Sequence, residues 1–156
     1  MAETRCHLFR AVRNGTFAGE LVNDGAPVGG LLYPSFVDRD VRDSLGQTQK
    51  SRAEVIVEVG ANGPEISPGG SISVQDKPGW FGNANWRYFH IPEGTSIPES
   101  LVISIGREAK WNSTHSVMAR HSRIEARTRM TLAAMMGALD NLARSAVVAQ
   151  YRQARS

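Results

Sequence analysis

Apolar and polar positions alternate through most of the chain and recur at every third or fourth place near its end, so strands are predicted first and one long helix last. Between His7 and Arg13, residues Leu8, Arg10 and Val12 fall on one face of an extended strand and Phe9 and Ala11 on the other. Asn14-Gly15 turns the chain, Thr16 to Val22 reads as a second strand, and Asn23-Asp24-Gly25-Ala26-Pro27 is another turn. Gly29 to Phe36 is a short apolar segment stopped by Pro34, and Asp38 to Lys50, charged and without period, is expected as loop or one weak helical turn. From Ser51 to Gly60, Glu54, Ile56 and Glu58 alternate with Val55, Val57 and Val59, which predicts a half-buried strand whose carboxylates face water.

Turn chemistry over residues 60–70 delivers the chain into Ser71-Ile72-Ser73-Val74. A long loop bearing Trp80, Phe81 and Trp86 leads into a strand over Arg87 to Pro92. Leu101 to Gly106 reads as the clearest core strand, and Trp111 to Met118 as a further strand, with His115 on the face of Ser113 and Val117. Ser122 and Glu125 have capping-box spacing and are expected to open the helix. Its stripe is Leu132, Met135, Met136, Leu139, Leu142, Ala143, Ala146 and Val147. Strands followed by one amphipathic helix, without βαβ alternation, make an α+β domain spanning residues 1–156.

At 156 residues the chain can bury a core without staples, and the single Cys6 needs no oxidising compartment. The N-terminal residues have no signal-peptide pattern, so export is expected to proceed without a cleaved leader. No run is expected to span a bilayer. The net charge of +3 is unevenly placed: residues 107–156 carry nine Lys and Arg against three Asp and Glu, which suits an anionic ligand, a nucleic acid or an acidic partner.

Candidate chemistry starts at Arg10, a cation among apolar neighbours. Either its stem lies along the sheet with its head in water, or its planar fork waits for an anion. Tyr33 offers a ring and a hydroxyl, Gly69-Gly70 allow close backbone approach ahead of two serine hydroxyls, and His115 can bond a hydroxyl or phosphate near neutral pH. The glycines fit neither a P-loop nor a dinucleotide fingerprint.

Four segments in order, Leu8-Phe9-Arg10-Ala11-Val12, Leu32-Tyr33-Pro34-Ser35-Phe36, Gly69-Gly70-Ser71-Ile72-Ser73-Val74 and Ile91-Pro92-Glu93-Gly94-Thr95-Ser96-Ile97-Pro98, together with Thr114-His115 and Leu139-Asp140-Asn141-Leu142, resemble the type VI secretion exported effector two family of small bacterial cytotoxins. The resemblance implies an ADP-ribosyltransferase-like fold, with two small antiparallel sheets around a cleft and a long C-terminal helix. It also implies NAD as substrate, action in the target-cell cytoplasm, export by a secretion apparatus, a cognate immunity protein, a macromolecular acceptor and no membrane insertion. Carried over residue by residue, Arg10, Tyr33 and Ser71 meet the cofactor, Ser71 and Ser73 compete for the middle-strand position, and His115 matches a family histidine. The glutamate usual late in such sheets has no obvious equivalent: Glu108 is nearest by position, and Glu125 reads as a cap. The alternative is a non-enzymatic protein of the same fold that sequesters a partner, a nucleotide or a nucleic acid.

Overall fold

The computed structural model describes residues 2–34, 39–42, 48–51, 54–55, 57–69 and 71–155. In chain order the strands are β1 (Leu8–Arg13), β2 (Val22–Asn23), β3 (Ala26–Pro27), β4 (Arg39–Arg42), β5 (Thr48–Ser51), β6 (Glu58–Gly60), β7 (Gly63–Ile66), β8 (Ser71–Gln75), β9 (Trp86–Ile91), β10 (Leu101–Asn112), β11 (Val117–Ala126) and β12 (Met130–Thr131), and the helix α1 is Leu132–Ala154. The fold is α+β. A five-stranded antiparallel sheet has the order β10-β11-β8-β1-β9, and the smaller sheets are β12-β7-β6, β2-β3 and β4-β5.

Period-two burial builds the large sheet. Leu8 and Val12 of β1, Ile72 and Val74 of β8, Phe89 and Ile91 of β9 and Ile124 of β11 are all buried. The helix supplies Met135, Ala138, Leu139, Leu142, Ala143, Ala146 and Val147 from one stripe, close to the face read from the sequence. It packs chiefly on β9, β3, β7 and β12, and its Gln150 amide donates to the His90 carbonyl at 2.5 Å. By length and composition this helix could cross a membrane, against the expectation that no run would; its apolar stripe is instead spent on the core.

The helix starts later than the capping-box spacing suggested. Ser122 and Glu125 lie within β11, where Ser122, Ile124 and Ala126 point inward at period two, and that burial outweighs a local cap signal. Thr131 is the N-cap, its Oγ1 accepting from the Ala134 N–H at 3.1 Å. Thr131→Ala is expected to lower stability by about 1 kcal/mol, read as a fall in the urea midpoint at unchanged slope.

Other readings shift as well. Residues 16–21 are irregular, mostly bends, rather than a strand, because the Arg87 guanidinium takes the carbonyls of Phe17 and Gly19 and so satisfies backbone that a ladder would have used. The charged stretch after Asp38 holds the paired strands β4 and β5; residues 38 and 43–47 lie outside the described residues. The strand read over 51–60 is broken at a bend through Glu54 and Val55, with Val59 94% exposed on short β6. Leu101 to Gly106 is not a core strand but the start of a twelve-residue edge strand in which Leu101 alone is buried. Trp111 to Met118 is the tip of the β10-β11 hairpin: Asn112 Oδ1 accepts from the N–H groups of Thr114 and His115, and Ser116 takes a φ of 55°.

Candidate functional site

Strand β1 pairs with β9 along its whole length but with β8 at one position, Phe9 opposite Gln75. Continued, that register would set Ala11 opposite Ser73. Two side chains take the backbone of Ser73 instead. Arg10 Nη1 donates to the Ser73 carbonyl at 3.0 Å, and the Ser73 N–H donates to Glu54 Oε2 at 2.9 Å. The strands therefore part, and the split is held by a clasp.

Within the clasp Arg10 meets Glu54 as a two-pronged pair, Nη1 to Oε2 at 2.8 Å and Nη2 to Oε1 at 2.7 Å, and Nη2 also donates to the Tyr33 carbonyl at 3.2 Å. Four bonds use the four Nη protons of the guanidinium. The side chains are only 13% and 20% exposed, so the expectation that the Glu54 carboxylate faces water is corrected. Arg10 sits between buried Leu8 and Val12, and a cation there needs an anion close by. That anion is Glu54. The Glu54 carbonyl also accepts from the Ser71 N–H at 3.2 Å, which lays the bend against β8.

Tyr33 is held from both ends. Its hydroxyl donates to Asp140 Oδ2 at 2.7 Å, while Asp140 Oδ1 accepts from the Gly30 N–H at 3.0 Å. Gly30 has a φ of 79°, and a Cβ there would stand 3.2 Å from the Tyr33 ring, so the turn requires glycine. The hydrogen bond to Asp140, followed by burial and the carboxylate's charge, raises the Tyr33 phenol above its ordinary pKa.

Strand β8 is covered except at one residue: Ser73 is exposed, whereas Ser71 and Gln75 are buried. In register with it on β11, His121 lies opposite Gln75, Arg123 opposite Ser73 and Glu125 opposite Ser71, so these six side chains share one sheet face. Glu125 is a strand residue with a buried Oε2 that has no partner among the described residues, not a cap. Glu108 is exposed, next to a register shift between Ile105 and Ala109.

The histidines divide. His115 is exposed at the hairpin tip, its ring over the backbone of Gly82, and it shares no partner with Arg10 among the described residues. His121 is half-buried: its Nδ1 faces the Gln75 amide nitrogen at 3.4 Å, and the Trp80 ring meets it edge-on at 4.3 Å. Burial, and then Lys110, push its pKa below the ordinary value. His90, stacked on Phe9 at 4.7 Å and 2.9 Å from the His7 ring nitrogen, is lowered by burial and then by His7. The two tryptophans flanking the loop make ring contacts instead of standing free, Trp80 with His121 and Trp86 with Phe81.

Over residues 9–151 the sequence matches the family model described as the Tse2 ADP-ribosyltransferase toxin. The chain belongs to this family. Aligned over 162 residues, it is 30% identical to Toxin Tse2 of Pseudomonas aeruginosa, with 98% of this chain and 95% of that protein covered. Membership in the Tse2 family makes it an ADP-ribosyltransferase toxin and implies the corresponding fold.

Among the sequence candidates, Arg10 bonds the backbone carbonyls of Tyr33 and Ser73, the Ser73 and Ser71 side chains lie on the sheet face opposite Arg10, and His115 stands apart. Glu54, Asp140 and His121 were missed as site residues. Glu54 was hidden by an alternating pattern that gave it a solvent face. Asp140 had one signal, a carboxylate beside the apolar stripe of a helix, and His121 had one, its odd numbering within the period-two run that ends at Ala126.

Proposed function

We propose that this chain is a cytotoxic effector that takes NAD as substrate and transfers ADP-ribose to a macromolecular acceptor in the target-cell cytoplasm. In this reading residues 1–156 are a toxin domain, exported by a type VI apparatus and silenced in the producing cell by a cognate immunity protein. Family membership supports the toxin and the transferase. The observation that carries the site is the split at Ser73, whose backbone carbonyl and N–H are taken by Arg10 and Glu54 while its side chain stays exposed.

In such a transfer the bond between the nicotinamide nitrogen and the anomeric carbon of the ribose breaks, and its electron pair leaves with nicotinamide. The oxocarbenium-like sugar is then captured by an acceptor nucleophile, which loses its proton. The protein's share is orientation and electrostatic stabilisation. Arg10 and Tyr33 form the wall that receives the nucleotide; with its Nη protons engaged, Arg10 acts by shaping that wall more than by offering a free fork. Ser73, the open residue of β8, bonds the ribose, and buried Ser71 shares its sheet face. His121 takes the role assigned from sequence to His115, because it is pinned and its lowered pKa keeps it neutral near pH 7.

Incubating the purified chain with NAD, with and without cell lysate, should release nicotinamide; a folded protein silent in both conditions would favour sequestration instead. Mass spectrometry of intoxicated cells for ADP-ribosyl adducts then names the acceptor class. Ser73→Ala should lower turnover about three- to tenfold, the size of one lost neutral hydrogen bond, at unchanged stability. Ser71→Ala should move the urea midpoint more than the rate, because Ser71 is buried.

A further inference from the structure

We infer that Asp140, on the C-terminal helix, is a positioning residue for the nucleotide site, acting through Tyr33 on the Arg10 clasp. The inference rests on the NAD reading above and adds to it the part played by the helix. Asp140 grips the 30–33 turn at both ends, through the Gly30 N–H and the Tyr33 hydroxyl. The turn in turn presents the Tyr33 carbonyl to Arg10 Nη2, and Arg10 holds the Ser73 carbonyl. A continuous line of three hydrogen bonds thus runs from α1 to the exposed residue of β8, with the Gly30 bond as a side branch at Asp140. The raised ionisation of the Tyr33 phenol agrees with a bond that is charge-assisted.

Chemistry makes the carboxylate hard to replace. Asp140 accepts from two donors with two oxygens, so an asparagine can accept from one and must turn its own N–H2 toward the other. Its neighbour Asn141 is exposed and bonds Arg144, which provides a control on the same helix turn.

The test uses the full chain and NAD itself. Asp140→Asn should raise KM for NAD about tenfold, as expected when a charge-assisted hydrogen bond behind a ligand-facing group is lost, while kcat changes much less. Tyr33→Phe should do the same, and adding Asp140→Asn to it should bring little more, since both cut the same line. In Asp140→Asn the spectroscopic ionisation assigned to Tyr33, by its absence in Tyr33→Phe, should move down toward the ordinary tyrosine value. Asn141→Ala should leave KM as in the wild type. If Asp140→Asn lowers the urea midpoint but keeps the wild-type KM, or if its effect adds fully to that of Tyr33→Phe, the positioning role is wrong. A wild-type chain that turns over no NAD with or without lysate overturns the NAD reading itself, and this inference with it.

Discussion

Arg10→Lys should lose roughly 100-fold in NAD turnover and in toxicity, the scale of a misplaced catalytic geometry, while losing less stability than Arg10→Ala. Lysine keeps the charge but not the fork. A single ammonium cannot bridge both Glu54 oxygens and also reach the carbonyls of Ser73 and Tyr33. In Arg10→Ala the Glu54 carboxylate stays half-buried without its guanidinium. Breaking a fully buried pair costs about 3–5 kcal/mol, and residual exposure here brings the expected loss to about 2–3 kcal/mol. Replacing both partners by leucine is the sharper experiment. With neither side chain competing, the Ser73 backbone is free to pair with Ala11, so the split should close: stability returns toward wild type, the amide exchange of Ser73 slows, and activity stays lost. Wild-type turnover in a folded Arg10→Lys variant would remove the clasp from the mechanism.

The same clasp explains which parts of the molecule could be read from the chain. The first strand, the C-terminal stripe and the turn glycines are local, and Leu8 to Arg13 and the buried helix residues came out nearly where the periodicity put them. Failures came where long-range partners overrode a local pattern. Glu54 belongs to an alternating run that points it outward, yet an arginine 44 residues earlier draws it in. Ser122 and Glu125 have cap spacing, yet pairing with β8 and β10 makes them strand. In the hairpin, the apolar run from Leu101 to Gly106 suggested core, but it lies on an edge strand where Ile105 is 44% exposed. Sequence alone reached Arg10, Tyr33 and the serines by family resemblance. It did not reach the pairings that turn them into a fork, because none of those is written in spacing.

His121→Ala should cost about 100-fold or more in turnover, within the range of a positioned imidazole, whereas His115→Ala should stay near wild type. The difference follows from how each ring is held. His121 has an amide on one side and an indole edge on the other, in register with Gln75 and on the sheet face that Ser73 presents. His115 rides on an exposed hairpin tip, its N–H and that of Thr114 held by the Asn112 side chain. A pH series adds a second reading. Since burial lowers the His121 pKa, the neutral ring prevails at pH 7, and turnover should fall on acidification only below the ordinary histidine value of about 6.5. Stability follows the same sign: a histidine with a depressed folded pKa contributes stability that is present above its unfolded value and is lost as pH falls through its folded one, as for His90. His121→Gln can keep a hydrogen bond to Gln75 without titrating, so its urea midpoint should depend less on pH over that acid window while its turnover stays low. Loss of activity in His115→Ala with full activity in His121→Ala would return the catalytic role to the hairpin tip.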